Sequence, residues 1–484
     1  MSNNFWDRVE EFKKLGADPL AWLASGTCEV DPSIKSAAAT QVHKAGLKLV
    51  PSWFDSYYYV DGKQPELTRR VFDPAEEKHD TAVDIKRALA MFRLQKGSCE
   101  EAAQLASALG TFFKPFSTKL AVSSMAIAAT QNPDAQFALL DYIELHRGDK
   151  AGFMPAVSSV AQVTDVFSPP DAELQAAIPM TSCIDMLSLL GCGINSSFRL
   201  FPVYDAPGES MLDNIRANLD SYTSRHNLAW EDYSSLKKSK LFYGCSAMAV
   251  TTKELPTRYD LVEEGMQIMI TKSLGGLAAL TLRMLGAMSP DNREKYEKSG
   301  ITAETLELAA GRAIKNLTEP HFILGKIVSK YCPDFGGTLD KSANIAAVYP
   351  VGSQGISALP GLAQSLNCQL VINEIPLLDP EISAYAARDS LVEDCTASLN
   401  GCHIIVASKE VLDLVRPELS SHGFAPAVIG FVGKKGAPSV AIDQESVKRL
   451  VPSVRRQAAI FAVPNSGNAE QVPGQPAASG AAQT

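Results

Sequence analysis

Between Arg147 and Gly193, on either side of a polar break, three of the five carboxylates, Asp149, Asp165 and Asp185, interrupt segments that are otherwise small or apolar. An unpaired charge inside an apolar run costs several kcal/mol or forces protonation. A chain written this way must therefore put its acids at element ends or give them partners. Asp165 closes the β-branched run SSVAQVTD and predicts a strand tip. Asp185 opens the apolar run MLSLLG and predicts a position near the start of a helix packed on a sheet. Carboxylates at such ends can converge on one cleft and hold Mg²⁺ against a polyphosphate, because hard oxygen ligands suit that ion. The same residues also read locally, Asp185 as a helix N-terminal charge and Asp165 as a turn residue. From these residues alone both readings stay open.

Residues 243–276, YGCSAMAVTTKELPTRYDLVEEGMQIMITKSLGG, carry the next constraint. They predict a small-residue strand, a Pro-marked bend, a second strand (MQIMIT) and a Lys-Ser-Leu-Gly-Gly loop entering a helix. This wording resembles selenophosphate synthetase (selenide, water dikinase), of the superfamily that includes aminoimidazole ribonucleotide synthetase. That family carries a YGLAVTG-like strand followed by a segment ending TKPLG. TDVFSP, with Thr164 and Asp165, resembles its TDFFTP, and SCIDMLSLLGCG resembles its NALSDIYAMGG. INEIPLLDPEI resembles its closing strand-to-IPLL segment. The matches run in consistent order from about Thr111 to Val440.

The resemblance implies an α+β, two-domain aminoimidazole ribonucleotide synthetase-like fold with helices packed on mixed sheets. It divides the chain into an N-terminal domain for ATP and dimerisation over 106–255 and a C-terminal domain over 256–462. It further implies a homodimer, ATP and Mg²⁺ as cofactors, and a small-molecule substrate. Asp149, Asp165 and Asp185 take the positions of metal ligands, and with Thr164 those of cofactor-binding residues. In FSTKL, Lys119 falls on the family's essential lysine, where an ammonium offsets charge developing in phosphoryl transfer. Its plain alternative is a surface lysine beside a helix start.

Several family residues are missing. Phe116 stands at the nucleophilic Cys or Sec position and Thr118 at the second cysteine, and a phenyl ring cannot replace a soft thiolate. Lys150 replaces one acid, Tyr349 another, and the Gly-Gly-His motif becomes Asp232-Tyr233-Ser234. The resemblance thus implies an ATP-dependent phosphotransferase acting on a small nucleophile other than selenide; the alternative is a catalytically silent, partner-binding paralogue. The glycines of YPVGSQGISALPG lack the Walker and GxGxxG patterns and read as backbone geometry.

Residues 1–105 lie ahead of the resemblance. Helical periodicity in WDRVEEFKKLGADPLAWL, HDTAVDIKRALAMFRLQ and SCEEAAQLASALGTFF predicts a mostly helical extension that packs on the rest or binds a protein partner. Residues 463–484 are too poor in large apolar side chains to build a core and predict a disordered tail. A formal net charge of −9 argues against nucleic acid as a partner. The nine cysteines show no CxxC spacing, so neither zinc nor a disulfide framework is expected. His226, His321 and His403 show no metal spacing and read as surface or hydrogen-bonded core histidines. No run of about 18 apolar residues suggests a membrane span, and a cytoplasmic location is the default.

Overall fold

The computed structural model describes residues 2–17, 19, 48–49, 58–59, 139–147, 150–161, 165–193, 198–232, 239, 241–249, 251–388 and 396–442. The chain opens with helix α1 (Ser2–Lys14), whose Phe5, Val9 and Phe12 recur at helical spacing and are all buried. It ends at Gly16, whose φ of 82° suits glycine. A two-residue antiparallel ladder joins β1 (Lys48–Leu49) and β2 (Tyr58–Tyr59).

The first large sheet holds β3 (Leu139–Arg147), β4 (Lys150–Ala161), β5 (Arg199–Asp205), β6 (Ala229–Trp230) and β7 (Phe242–Met248). Its order is β3-β4-β7-β5-β6, antiparallel throughout except for the β5–β6 pair. Helix α2 (Glu173–Leu189) packs on β4 and β7, with α3 (Glu209–Arg225) beside it.

The second sheet holds β8 (Gln267–Ile270), β9 (Ala347–Pro350), β10 (Cys368–Ile372), β11 (His403–Ala407), β12 (Ala427–Lys435) and β13 (Ser439–Ile442). Its order is β13-β10-β12-β8-β11-β9, and only the β10–β13 pair is parallel. Every residue of β9 and β11 is buried, which is why AVYP and HIIVA read as continuous apolar runs rather than alternating ones. Helices α4 (Leu277–Met288), α5 (Pro290–Lys298), α6 (Ala303–Thr318) and α7 (Phe322–Lys330) follow β8. Then come α8 (Ala358–Leu366), α9 (Pro380–Arg388) and α10 (Lys409–Ser421). Helices packed on mixed sheets make this an α+β fold, as expected. Among the described residues no helix is long and apolar enough to cross a membrane.

One expectation is corrected. Asp185 does not open a helix; it lies in the last turns of α2, which begins at Glu173 and carries Pro179 inside it. Proline removes one backbone hydrogen bond and normally ends a helix. Here nearly all of α2 is buried, on both faces, and that apolar burial outweighs the local penalty.

The C-terminal end of α2 meets α7 backbone to backbone. A Cβ built on Gly325 would lie 2.0 Å from the Cys192 carbonyl oxygen, and one on Gly193 would lie 3.1 Å from the Lys326 nitrogen. Only glycine fits this crossing.

Candidate functional site

That crossing brings Asp185 to the N-terminus of α7. Its Oδ1 accepts the His321 backbone N–H at 2.8 Å, and its Oδ2 accepts the Nδ1–H of the same ring at 2.8 Å. The carboxylate thus supplies the first turn of α7 with an acceptor that His321 itself does not provide. It also fixes the ring: with Nδ1 donating to a carboxylate, the Nε2 lone pair faces outward. Lys272 Nζ meets that nitrogen at 2.5 Å and donates to Asn316 Oδ1 at 2.8 Å. A carboxylate, an imidazole and an ammonium therefore form a chain from α2, past the start of α7, to the loop after β8. Burial pushes the Lys272 pKa below its ordinary value, opposed by the Asp185 charge.

The loop is Thr271-Lys272-Ser273-Leu274-Gly275-Gly276. Gly276 has φ 106°, a backbone conformation that favours glycine, and a Cβ there would also displace the Leu399 side chain 2.6 Å away. The Gly275 N–H donates to the Thr396 carbonyl at 3.1 Å and to Ser398 Oγ at 3.0 Å. Leu274 and Leu378 are bridged by the 2.7 Å bond from the Leu378 N–H to the Leu274 carbonyl. These contacts hold the loop as one wall of a cavity of about 240 Å³. Arg312, Lys315 and Asn316 of α6 form a second wall, and Leu378, Leu399, Asn400, Cys402, Gly423 and Ala425 complete it.

The charged residues that line this cavity are Lys272, Arg312 and Lys315, all cations. The acids that pair with them stand outside the lining: Asp379 with Arg312 at 2.5 Å, and Glu319 with the exposed Lys315 at 3.5 Å. Asn400 donates to the Leu317 carbonyl at 2.9 Å and so ties the cavity wall to the end of α6. Cys402 is not a nucleophile in this setting, because burial pushes its thiol up to about 12.

Asp165 is placed elsewhere, in the turn after β4. Its Oδ1 accepts the Phe167 N–H at 3.2 Å, and its Oδ2 accepts the Ser168 hydroxyl at 2.7 Å. The Arg283 guanidinium stands 3.5 Å from Oδ1 and 4.0 Å over the Phe167 ring. The turn reading made from the residues is the geometry found. Each carboxylate oxygen of Asp165 and Asp185 thus already accepts a protein hydrogen bond. Among the described residues no three His, Cys, Asp or Glu side chains come together as a metal-holding group. Lys119, Asp149 and Thr164 lie outside the described residues, as do Phe116 and Thr118.

Tyr349, where the resemblance placed a missing acid, is 1% exposed on β9, and its hydroxyl lies under Gly361 of α8. Gly355 has φ 54°, and a Cβ there would lie 2.3 Å from Thr396 Oγ1, so the glycine serves backbone geometry. His403 corrects the expectation of a surface or hydrogen-bonded histidine: it is buried and neither ring nitrogen has a hydrogen-bond partner. His321 is hydrogen-bonded, as one of its two sequence readings had it, but neither it nor Lys272 was singled out for the site. The TKSLGG wording marked the loop of Lys272, but nothing in the residues around His321 points to Asp185.

No family model matches the chain, and no curated protein matches it in sequence. Solved structures similar to it include thiamine-monophosphate kinase from Stenotrophomonas maltophilia, at 14% identity over 64% of this chain and 93% of that one, with TM-score 0.44. The thiamine-monophosphate kinase of Aquifex aeolicus shares 14% identity over 62% of this chain and 90% of that one, TM-score 0.41. The hydrogenase maturation protein HypE in complex with ATP shares 12% identity over 62% of this chain and 84% of that one, TM-score 0.40.

Proposed function

We propose that the chain is an ATP-binding protein of the selenophosphate synthetase-like type, acting as an ATP-dependent phosphotransferase on a small nucleophile. The observation that carries this reading is the convergence of two separate segments of the resemblance. SCIDMLSLLGCG supplies Asp185, TKSLGG supplies Lys272, and His321 joins them. Transfer of a phosphoryl group rests on positioning and charge neutralisation rather than covalent work by the protein. Lys272, held by Asn316 and His321, would supply fixed positive charge, and Lys119 would add a second. The missing thiol at Phe116 and Thr118 turns the reading away from selenide as acceptor. In this proposal Mg²⁺ would come with ATP, Asp149, Asp165 and Asp185 would be its protein ligands, and Thr164 would lie with them against the nucleotide. A homodimer belongs to the same reading.

A second reading has its own observation. The commitment of Asp165 and Asp185 to protein donors favours a catalytically silent protein that binds a partner, with residues 1–105 as the contact. Thermal denaturation of the full chain with ATP, with and without Mg²⁺, tests both. Bound ATP at about a hundredfold excess over Kd should stabilise the fold by roughly 2–3 kcal/mol. On the phosphotransferase reading Mg²⁺ increases that gain, Asp165→Asn removes the increase, and phosphorus NMR shows ATP turnover. A gain without turnover selects the silent reading. No gain with ATP in either condition sinks the nucleotide proposal.

A further inference from the structure

We infer that the cavity beside Lys272 binds a small tetrahedral oxyanion, inorganic phosphate or a compact phosphomonoester, as a ligand separate from the nucleotide. The inference deepens the phosphotransferase reading by naming the chemical class of its second ligand, but it stands on the cavity itself.

The first observation is size. At about 240 Å³ the cavity falls below the roughly 300–1,000 Å³ typical of sites that enclose drug-sized ligands. The space suits a phosphate with a short organic body better than a base, a ribose and a phosphate chain enclosed together.

The second observation is the sign and placement of charge. Lys272 comes from the loop after β8, while Arg312 and Lys315 come from α6, so positive groups face the space from two walls. Arg312 spends one nitrogen on Asp379, which leaves the rest of its planar fork for a second acceptor. The Lys315–Glu319 pair is exposed at both ends and of a kind that contributes little, so Lys315 is readily recruited. Among the described residues no carboxylate lines the space to repel an anion.

The third observation is the state of Lys272. Its direct partners are an amide oxygen and an imidazole nitrogen, and its nearest counter-charge, Asp185, is one ring away. A desolvated ammonium held this way gains from an anion placed against it, and the Asp185–His321 pair keeps it aimed. The apolar remainder, Leu378, Leu399 and Ala425, accommodates a short carbon body.

The test uses the full-length protein, with inorganic phosphate as probe in phosphorus NMR and calorimetric titration. Acetate and chloride at matched ionic strength are the controls. Saturable phosphate binding is expected, with acetate and chloride far weaker. Lys315→Gln and Arg312→Gln should each weaken phosphate binding by about tenfold or more, the loss expected for one charge-assisted contact. ATP added to the phosphate-loaded protein should leave the phosphate bound. Displacement of phosphate by ATP in direct competition would overturn the inference, making the cavity the seat of the nucleotide's own phosphates. Phosphate binding no stronger than chloride, or unchanged in both folded variants, would overturn it as well. Phosphate binding together with no ATP binding would uphold the inference and remove the nucleotide proposal.

Discussion

At the scale of single residues His403 is the sharpest case. It is 4% exposed at the start of β11, and both ring nitrogens are buried without a hydrogen-bond partner. Burial pushes its pKa down to about 4, the Asp185 charge pulls it up, and His321 and Lys272 push it further down. Above about pH 6.5 the ring is neutral in both folded and unfolded chains and makes no pH-dependent contribution. Between about 6.5 and 4 the unfolded chain takes up a proton that the folded one refuses, so stability falls as pH falls across that window. His403→Leu removes this titration at little cost in hydrogen bonding, since no bond to the ring is lost. Urea denaturation at pH 7 and pH 5 should show a smaller loss of stability in the variant than in the wild type. Equal losses would show that His403 is not the proton acceptor. The pairing of Asp185 with His321 spans 136 positions. No local spacing encodes such a contact, which is why Asp185 was legible as a residue of interest while its partner was not.

At the scale of elements, the strands and the loop-to-helix entries were readable because their signals are local. YGCSAM, MQIMI and the glycine pair of TKSLGG became β7, β8 and the entry to α4. The start of α2 was not readable, because the proline rule is local too, and here burial over the whole helix overrode it. The contact of α2 with α7 was equally hidden, since Gly325 in α7 carries no turn signal. Its value is clear only from the 2.0 Å that would separate an added Cβ from the Cys192 carbonyl. Neither side can yield without moving backbone. Gly325→Ala should therefore destabilise by about 3 kcal/mol or more, at the upper end for overpacking, and should disturb the Asp185–His321 contact with it. Chemical denaturation and the His321 imidazole resonances check this together. A stable variant with unchanged resonances would show that the helices can separate freely.

At the scale of the whole molecule, the two large sheets share one apolar core that runs from Phe5 through Ile184 and Ile268 to Ile442. The Asp185–His321–Lys272 chain crosses the same junction. Units joined in this way should unfold together, so calorimetry should show a single transition whose calorimetric and van't Hoff enthalpies agree. Two resolved transitions would mean that the shared core is energetically minor. The α+β class was legible at this scale through the resemblance of its segments, in order, to a known family. The junction was not, because it is made of contacts far apart in the chain.

The docking of α1 has a consequence for how the protein is made. Phe5 lies 5.7 Å from the Phe167 ring, the helix packs on α4, and the Leu15 carbonyl accepts the Leu241 N–H at 2.8 Å. Helix α1 therefore finds the α4 part of its seat only after Met288, the end of that helix, has been added. At ~5–20 residues per second, Phe5, Val9 and Phe12 wait roughly 15–55 s for the α4 part of their seat. A short amphipathic helix cannot hold itself together alone in water for that interval. During synthesis this segment keeps an apolar face open until α4 arrives, so its burial joins residues made early to residues made much later.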